Sequence, residues 1–531
     1  MPARGERPAA RARRWRDDVF VIAAALFPLA LFAARERQIA GESGFPLDDA
    51  WIHLQFARNL AEGAGFSFNP GASVAGSTAP LWTLLLAAGA AAFSPSLGMA
   101  KAFGVAATLG AAILTRRAAL AWGARADVAL VAAVALLWTG PVAWGALSGM
   151  EVALAAFLVA AALLAHAHDR LLVSSACAAL AVLARPEAFL LIPLLVLARR
   201  LTLRRAAAFG LVTVVAVAPA ALFSLWTVGT LYPATAAAKV EGGLVGWLGG
   251  VNEPAALTWI WRPWTFLTGW IGWLTATHWL LPLALVPGLV LVWRRAGRAL
   301  GAVALALVAH PFGMALLAPY RGPAFQEGRY SIHLLPLVVL TLAVALGDRR
   351  RGGPRSESPL ANNPDHTGLG RGATAPPVPQ RNSWVRTIAV VWLGIAVVSL
   401  VPAATRYGWA VQNINAMQVH LGRWVDTNLP RTARIAANDI GAIAYFSRRE
   451  VIDLMGLVTP EIIPFRRRGE LGVMRYLKEA CPQYVIIFPA WFPQIASSTE
   501  TLEPVYRVRL ERNEVAGAAE MVVYRLARCA V

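Results

Sequence analysis

Charged side chains are scarce: Asp, Glu, Lys and Arg make up 15% of this 531-residue chain, where soluble globular proteins carry roughly 25%. With 57% hydrophobic residues and a mean hydropathy of +0.54, that scarcity excludes a soluble globular protein. Cysteine is scarcer still, at three residues, and none has the spacing of a zinc or iron–sulfur site. Cys177 falls in an apolar segment; Cys481 and Cys529 lie in the C-terminal tail and would be free to form one disulfide in an oxidising compartment. His, Asp and Glu form no cluster with metal-ligand spacing, so no obligatory metal and no other cofactor is expected. The internal repeat that builds many transporters is missing. The first apolar run, 19–34, lacks a small-residue cleavage site and reads as a retained span rather than a signal peptide.

What is present is a series of apolar runs close to the ~20 residues that cross a bilayer. They predict a polytopic α-helical membrane protein of about ten to twelve helices. The net charge of +19 does not point to nucleic acid, because the arginines cluster in short loops beside the spans, as cytoplasmic loops do. Five of them fall within the first fourteen residues, so 1–18 reads as a basic cytoplasmic tail. Residues 19–405 then form the membrane domain, with an external loop at 35–79. An odd number of crossings over 80–115 is needed to bring Arg116, Arg117 and Arg125 back inside. Segment 171–199 begins and ends beside inside charges, so it reads as two short helices meeting near Pro186. Rich in Pro, Gly, Ser and Arg, segment 348–384 reads as a disordered cytoplasmic loop. A last span delivers residues 406–531 outside. There, β-type runs at 433–437, 451–454, 484–488 and 521–524 alternate with helical patterns at 420–428 and 472–480, predicting a small extracytoplasmic α/β domain.

Chemistry concentrates in the external loop. Pro46-Leu47-Asp48-Asp49-Ala50-Trp51 opens an amphipathic stretch that is too polar to span. Gly63 to Phe68, then Asn69-Pro70-Gly71, turn the chain back, and Gly76-Ser77-Thr78-Ala79-Pro80-Leu81-Trp82 starts the next span with Pro80 in its first turn. Read by position alone, Asp48 and Asp49 are the N-cap and first-turn acid of a helix lying in the membrane interface. The competing reading is a carboxylate held over the mouth of the bundle. His53 lies on the same helix, as a surface histidine or as a wall of a cavity. Glu151 sits at a helix start and Arg185 pairs most simply with Glu187. Lys239, Arg321 and Arg329 fall in loops assigned outside, where a lone cation is ordinarily interfacial. Tyr330 either serves a site beside Arg329 or belongs to an aromatic belt. Asp439 and Asp453 end probable strands, where turn chemistry explains an acid as well as a site does.

Residues 46–82, taken in order, resemble the GT-C membrane glycosyltransferases. The likeness is to bacterial arabinofuranosyltransferase-like members and, more distantly, to protein O-mannosyltransferases. Weaker echoes are Ser148 to Glu151, Ala184 to Glu187, Leu231 to Thr235 with Lys239, and Gly328 to Tyr330. The resemblance implies a GT-C-like bundle in a bacterial inner membrane, with its C-terminal domain outside. It implies a polyprenyl-phosphate-linked sugar as donor and an envelope glycan, lipid or protein as acceptor, with inversion at the anomeric carbon. It makes Asp48 the general base, with Asp49 capping the helix or orienting the acceptor, and Lys239, Arg321, Arg329 and Tyr330 the groups that meet the donor phosphate. His53, Glu151, Arg185 and Glu187 would line the cavity. Some relatives in the wider fold use a divalent cation. The rival classes are a transporter or lipid flippase, which needs repeated halves, and a non-catalytic envelope assembly protein.

Overall fold

The computed structural model describes residues 8–239, 242–248, 253–317, 321–347 and 383–527. The expected cytoplasmic loop at 348–384, save its last two residues, falls outside them, as does Cys529 and with it the pairing with Cys481. Among the described residues six helices are long and apolar enough to cross a membrane: Arg14–Ala40, Leu97–Ala121, Leu203–Val228, Leu281–Leu317, Phe325–Ala345 and Arg386–Asn428. Ala126–Leu137 and Gly140–Leu147 form a seventh if the pair, bent by 60° at Thr139 ahead of Pro141, is one span. Four shorter apolar helices accompany them: Pro80–Phe93, Val152–Ala167, Leu171–Ala184 and Pro186–Ala198. The chain is thus a multi-pass membrane protein, and the expected count took short and long apolar helices together. The break before Pro186 falls where the sequence puts it, since the residue preceding a proline is driven out of helical geometry.

The last membrane helix, Ser383–Ile414, runs on through a π-helical turn, Asn415–Val419, into His420–Asn428. It enters the α/β domain without a flexible joint. Five strands follow: β1 (Arg434–Ala437), β2 (Glu450–Asp453), β3 (Tyr484–Ile487), β4 (Leu502–Arg509) and β5 (Glu520–Leu526), in the order β2-β1-β3-β5-β4. β1 pairs in parallel with both β2 and β3, while β5 runs antiparallel to β3 and β4. β4 is the strand the sequence did not announce. It lies at an edge, its side chains are largely exposed, and Pro504 sits at an irregularity in its pairing.

Alternation along the strands divides the domain's core. Ala436, Ile452, Val485, Ile487 and Val522 face one side, packed on Val473 and Leu477 of the Gly469–Ala480 helix. Ile435, Ala437, Val451, Ile486 and Val523 face the other, where the cover includes Ile52, Phe56, Phe68 and Val74 from the first loop. That loop, residues 41–79, is therefore part of the α/β domain's hydrophobic core.

This corrects the expected placement of the Asp49–Ala61 helix. In place of a polar face turned to water, every residue from Ala50 to Asn59 is buried. The helix is held between the Pro80–Phe93 membrane helix and the Gly441–Ser447 helix of the C-terminal domain. Its polar side chains are satisfied inside the protein. Gln55 and Asn59 donate to the Phe68 and Ser67 carbonyls at 2.8–2.9 Å, and Arg58 donates to the Tyr445 carbonyl at 2.8 Å. Asn69 completes the seam. Its amide donates to the Val451 carbonyl and accepts from the Val451 N–H, both at 2.9 Å, occupying the open edge of β2 as a strand would.

Removing that amide loses two bonds to an otherwise open strand edge, each worth about 1 kcal/mol. Asn69→Ala should therefore destabilise the seam by about 2 kcal/mol, seen as a lower thermal midpoint and faster protease cleavage between the two domains. An unchanged midpoint and cleavage rate would contradict the role given to Asn69.

Candidate active site

Two cavities meet at the junction of the bundle, the first loop and the α/β domain. The larger, about 720 Å³, lies between domain and bundle and is bounded by Asp48, Asp49, Glu327, Arg406, Asp439, Arg466, Trp491 and Glu514. The smaller, about 360 Å³, runs down into the bundle past His53, Glu151, Arg185, Glu187 and Tyr330, with Tyr232, Met314 and Leu317 as apolar walls. Asp49, Lys239, Arg321 and Arg329 line both. The ten residues that the resemblance assigns to the site thus each line one or both of these adjoining cavities, although the chain separates Asp48 from Tyr330 by most of the membrane domain.

Adjacent in sequence, the two aspartates do different things. Asp48 occupies the N-cap position of the Asp49–Ala61 helix but makes no side-chain cap bond there. Its carboxylate reaches across to the Gly441–Ser447 helix, whose Gly441 and Ala442 N–H groups donate to Oδ2 and Oδ1 at 2.6 and 2.8 Å. Those are orphan donors of a first helical turn, so Asp48 caps a helix in the other domain. Gly441 is required there, because an added Cβ would come within 2.2 Å of the Asp48 carbonyl oxygen. Burial, reinforced by Asp439, raises the Asp48 carboxyl well above the usual range against the opposing pull of the two N–H groups. Asp49, with 34% of its side chain exposed, opens to both cavities and forms an ion pair with Arg329. Burial would raise its carboxyl too, but the charges of Arg329 and Lys239 outweigh burial and hold it low.

Arg329 is aimed by an unusual piece of backbone. Gln326, Glu327 and Gly328 have φ of 48°, 59° and 75°, three left-handed residues in succession. Strain of this kind costs about 1–3 kcal/mol per non-glycine residue and needs outside support. Arg406 provides it by gripping the Glu327 carboxylate at 2.7 and 3.0 Å, and the Trp273 indole donates to the Glu327 carbonyl at 3.0 Å. Arg329 then donates to the Tyr330 hydroxyl at 3.2 Å, and Arg185 stacks over the Tyr330 ring at 4.6 Å.

A second charged chain lines the smaller cavity. Arg185 forms an ion pair with Glu151 and stands 3.1 Å from Glu187, so its partner is not Glu187 alone. His53 Nε2 lies 3.2 Å from Glu151, and Nδ1 lies 3.2 Å from the Thr83 hydroxyl. His53 is buried, which corrects the expectation of a surface histidine. The tail acids divide as their two readings allowed. Asp453 accepts from the Met455, Leu457 and Val458 N–H groups and serves a turn, whereas Asp439 faces the larger cavity. Sequence reasoning did not find Glu327, Arg406, Trp491 or Glu514, which carry no local motif. Among the described residues no group of three His, Cys, Asp or Glu side chains is placed to hold a metal ion.

This architecture is the GT-C fold. The chain superposes on the crystal structure of ArnT from Cupriavidus metallidurans bound to undecaprenyl phosphate with a TM-score of 0.54 at 14% identity, covering 95% of this chain and 97% of that one. It superposes on the Archaeoglobus fulgidus oligosaccharyltransferase tethered with an acceptor peptide with a TM-score of 0.54 at 11% identity, covering 88% of this chain and 69% of that one. Residues 411–524 match a family described as a domain of unknown function (DUF8728). No curated protein sequence matches the chain significantly.

Asp439, whose charge also raises the Asp48 carboxyl, gives the site a pH signature. Burial pushes the Asp439 carboxyl up to about 6, above the ~3.9 of an unfolded aspartate. Between those values the folded protein holds a proton that the unfolded chain releases, so Asp439 costs stability increasingly from pH ~4 to pH ~6 and most above it. Above pH 6, Asp439→Asn should stabilise the solubilised protein by roughly 1–3 kcal/mol, read as a higher thermal midpoint, and it should leave the midpoint unchanged near pH 4. A variant less stable than wild type at pH 7.5 would contradict this account.

Proposed function

We propose that this protein is a membrane glycosyltransferase that moves a sugar from a polyprenyl-phosphate donor to an acceptor hydroxyl on the extracytoplasmic face. The observation that carries the reading is the shared wall of the two cavities, where an ion-paired carboxylate, Asp49, stands beside Lys239, Arg321 and Arg329. A lipid phosphate needs cations at the polar end of an apolar channel, and the smaller cavity offers them above Met314 and Leu317. The ArnT structure of the same fold contains undecaprenyl phosphate.

In this mechanism the donor phosphate enters the smaller cavity and takes Arg329, Lys239 and Arg321 as partners. Sharing Arg329 with the phosphate loosens its hold on Asp49, whose carboxylate becomes more basic as the donor binds. Asp49 then accepts the proton of the acceptor hydroxyl while the hydroxyl oxygen bonds to the anomeric carbon. The bond from that carbon to the phosphate oxygen breaks, and the polyprenyl phosphate leaves with the electron pair. Positive charge develops at the anomeric carbon between the two, and a single displacement inverts it. Asp49 is preferred to Asp48 as base because both Asp48 oxygens already accept backbone N–H bonds, while Asp49 is open to both cavities. Asp48 is left with the geometry of the site rather than the proton.

Labelled sugar supplied on a panel of polyprenyl phosphates should be transferred by wild-type membranes. Asp49→Asn should lower the rate by about 10²–10⁴-fold, and Asp48→Asn should lose stability while retaining more activity. Full activity in a folded Asp49→Asn protein would refute the assignment of the base. No sugar release from any donor, to water or to acceptor, would turn attention to the transporter and assembly readings.

A further inference from the structure

The strand order of the C-terminal domain says where it would bind a ligand. β2 and β4 lie on opposite sides of the parallel β1–β3 pair, so the connection leaving β1 for β2 and the one leaving β3 for β4 diverge at the carboxyl ends of β1 and β3. Such a divergence opens a crevice, and parallel sheets bind ligands there. Asn438 and Asp439 follow β1 directly, Trp491 follows β3, and all three line the larger cavity.

Each of the three contributes a distinct group to that wall. Trp491 is 38% exposed on the cavity wall. Its ring is nonetheless fixed, donating from Nε1 to the Gly517 carbonyl at 3.0 Å and packing on Phe488 at 5.3 Å between ring centroids. Gly517 admits the ring so closely that a Cβ there would fall 2.6 Å from it. Asn438 is 3% exposed; its Oδ1 accepts from the Phe488 N–H at 3.3 Å, while its Nδ2 has no partner. A buried amide N–H left unpaired in a cavity wall costs free energy unless a ligand or water completes it. Asp439 beside it offers carboxylate oxygens, oriented by the Gln418 amide at 2.7 Å. An immobilised aromatic face takes the C–H face of a sugar ring, and an adjacent donor and acceptor match neighbouring hydroxyls, each of which both gives and receives a hydrogen bond.

We infer that the C-terminal domain carries a saccharide subsite made by Asn438, Asp439 and Trp491, and that the acceptor of the transfer is a glycan. The choice of acceptor rests on the glycosyl-transfer reading; the subsite does not.

The test separates the two. Saturation-transfer NMR of the full-length protein in nanodiscs with a panel of neutral disaccharides reads the subsite without catalysis. At least one disaccharide should give signals from its ring protons. Those signals should fall at least tenfold in Trp491→Ala and in Asn438→Asp, and persist in Trp491→Phe. Asn438→Asp keeps an oxygen for the Phe488 N–H and replaces the free amide donor by a carboxyl beside Asp439, so its thermal midpoint is recorded alongside to separate loss of ligand from loss of fold. Signals from none of the panel, or signals unchanged in both disabling variants, overturn the subsite. With an active donor, the same two variants should raise the acceptor KM for an oligosaccharide at least tenfold with a smaller change in kcat. Equal transfer to a sugar-free hydroxyl peptide or lipid overturns the choice of a glycan acceptor. Disaccharide binding without any donor turnover leaves the subsite standing and removes the transfer reading.

Discussion

A carboxylate in one domain caps a helix in another, and the arrangement of the cavity depends on that contact. Asp48 and the Gly441 and Ala442 N–H groups lie 393 and 394 positions apart in the chain. The bond satisfies donors that the short Gly441–Ser447 helix cannot satisfy itself, and it fixes the backbone on which Asp49 stands one residue later. Around it the first loop supplies side chains to the sheet's core and closes the edge of β2 through Asn69. Domain and loop are one packed body, so the carboxylate that opens to the cavities is set by the domain as much as by the bundle.

Charge inside that body is arranged by pairing. Asp49 with Arg329, Glu151 with Arg185 and His53, and Glu327 with Arg406 are buried or half-buried pairs beside an apolar bundle. Such pairs add little net stability over apolar packing, but losing one partner leaves an uncompensated charge and costs several kcal/mol, about 3–5 in a buried site. What they fix is geometry. The left-handed turn before Arg329 is tolerated because Arg406 and Trp273 hold Glu327 in place, and the guanidinium is thereby delivered to the boundary of the two cavities.

The sequence carried the membrane bundle because apolar runs are local, and it carried the first loop because Asp48 to Trp82 is one continuous stretch with turn residues at its corners. Four strands of the sheet were equally legible from short β-type runs. β4 was not, since an edge strand with a proline and outward charges lacks the apolar alternation of a half-buried strand. The Asp49–Ala61 helix misled for a related reason. Its Gln55, Arg58 and Asn59 look like a solvated face, but carbonyls of the loop and the C-terminal domain replace water as their partners. Glu327, Arg406 and Trp491 belong to the cavity only through tertiary convergence, which leaves no trace in spacing along the chain.

The cap from Asp48 also has a consequence for biosynthesis. The first loop is made well before the helix that completes it, since Asp48 precedes Gly441 by 393 positions. Until that helix exists, Ile52, Phe56 and Phe68 have no sheet to cover and the acid pair has no fixed orientation. A nascent or truncated chain therefore holds an unfinished site and an uncovered apolar loop, the kind of surface that chaperones and quality-control proteases recognise. Assembly of the site is in effect timed by synthesis of the α/β domain.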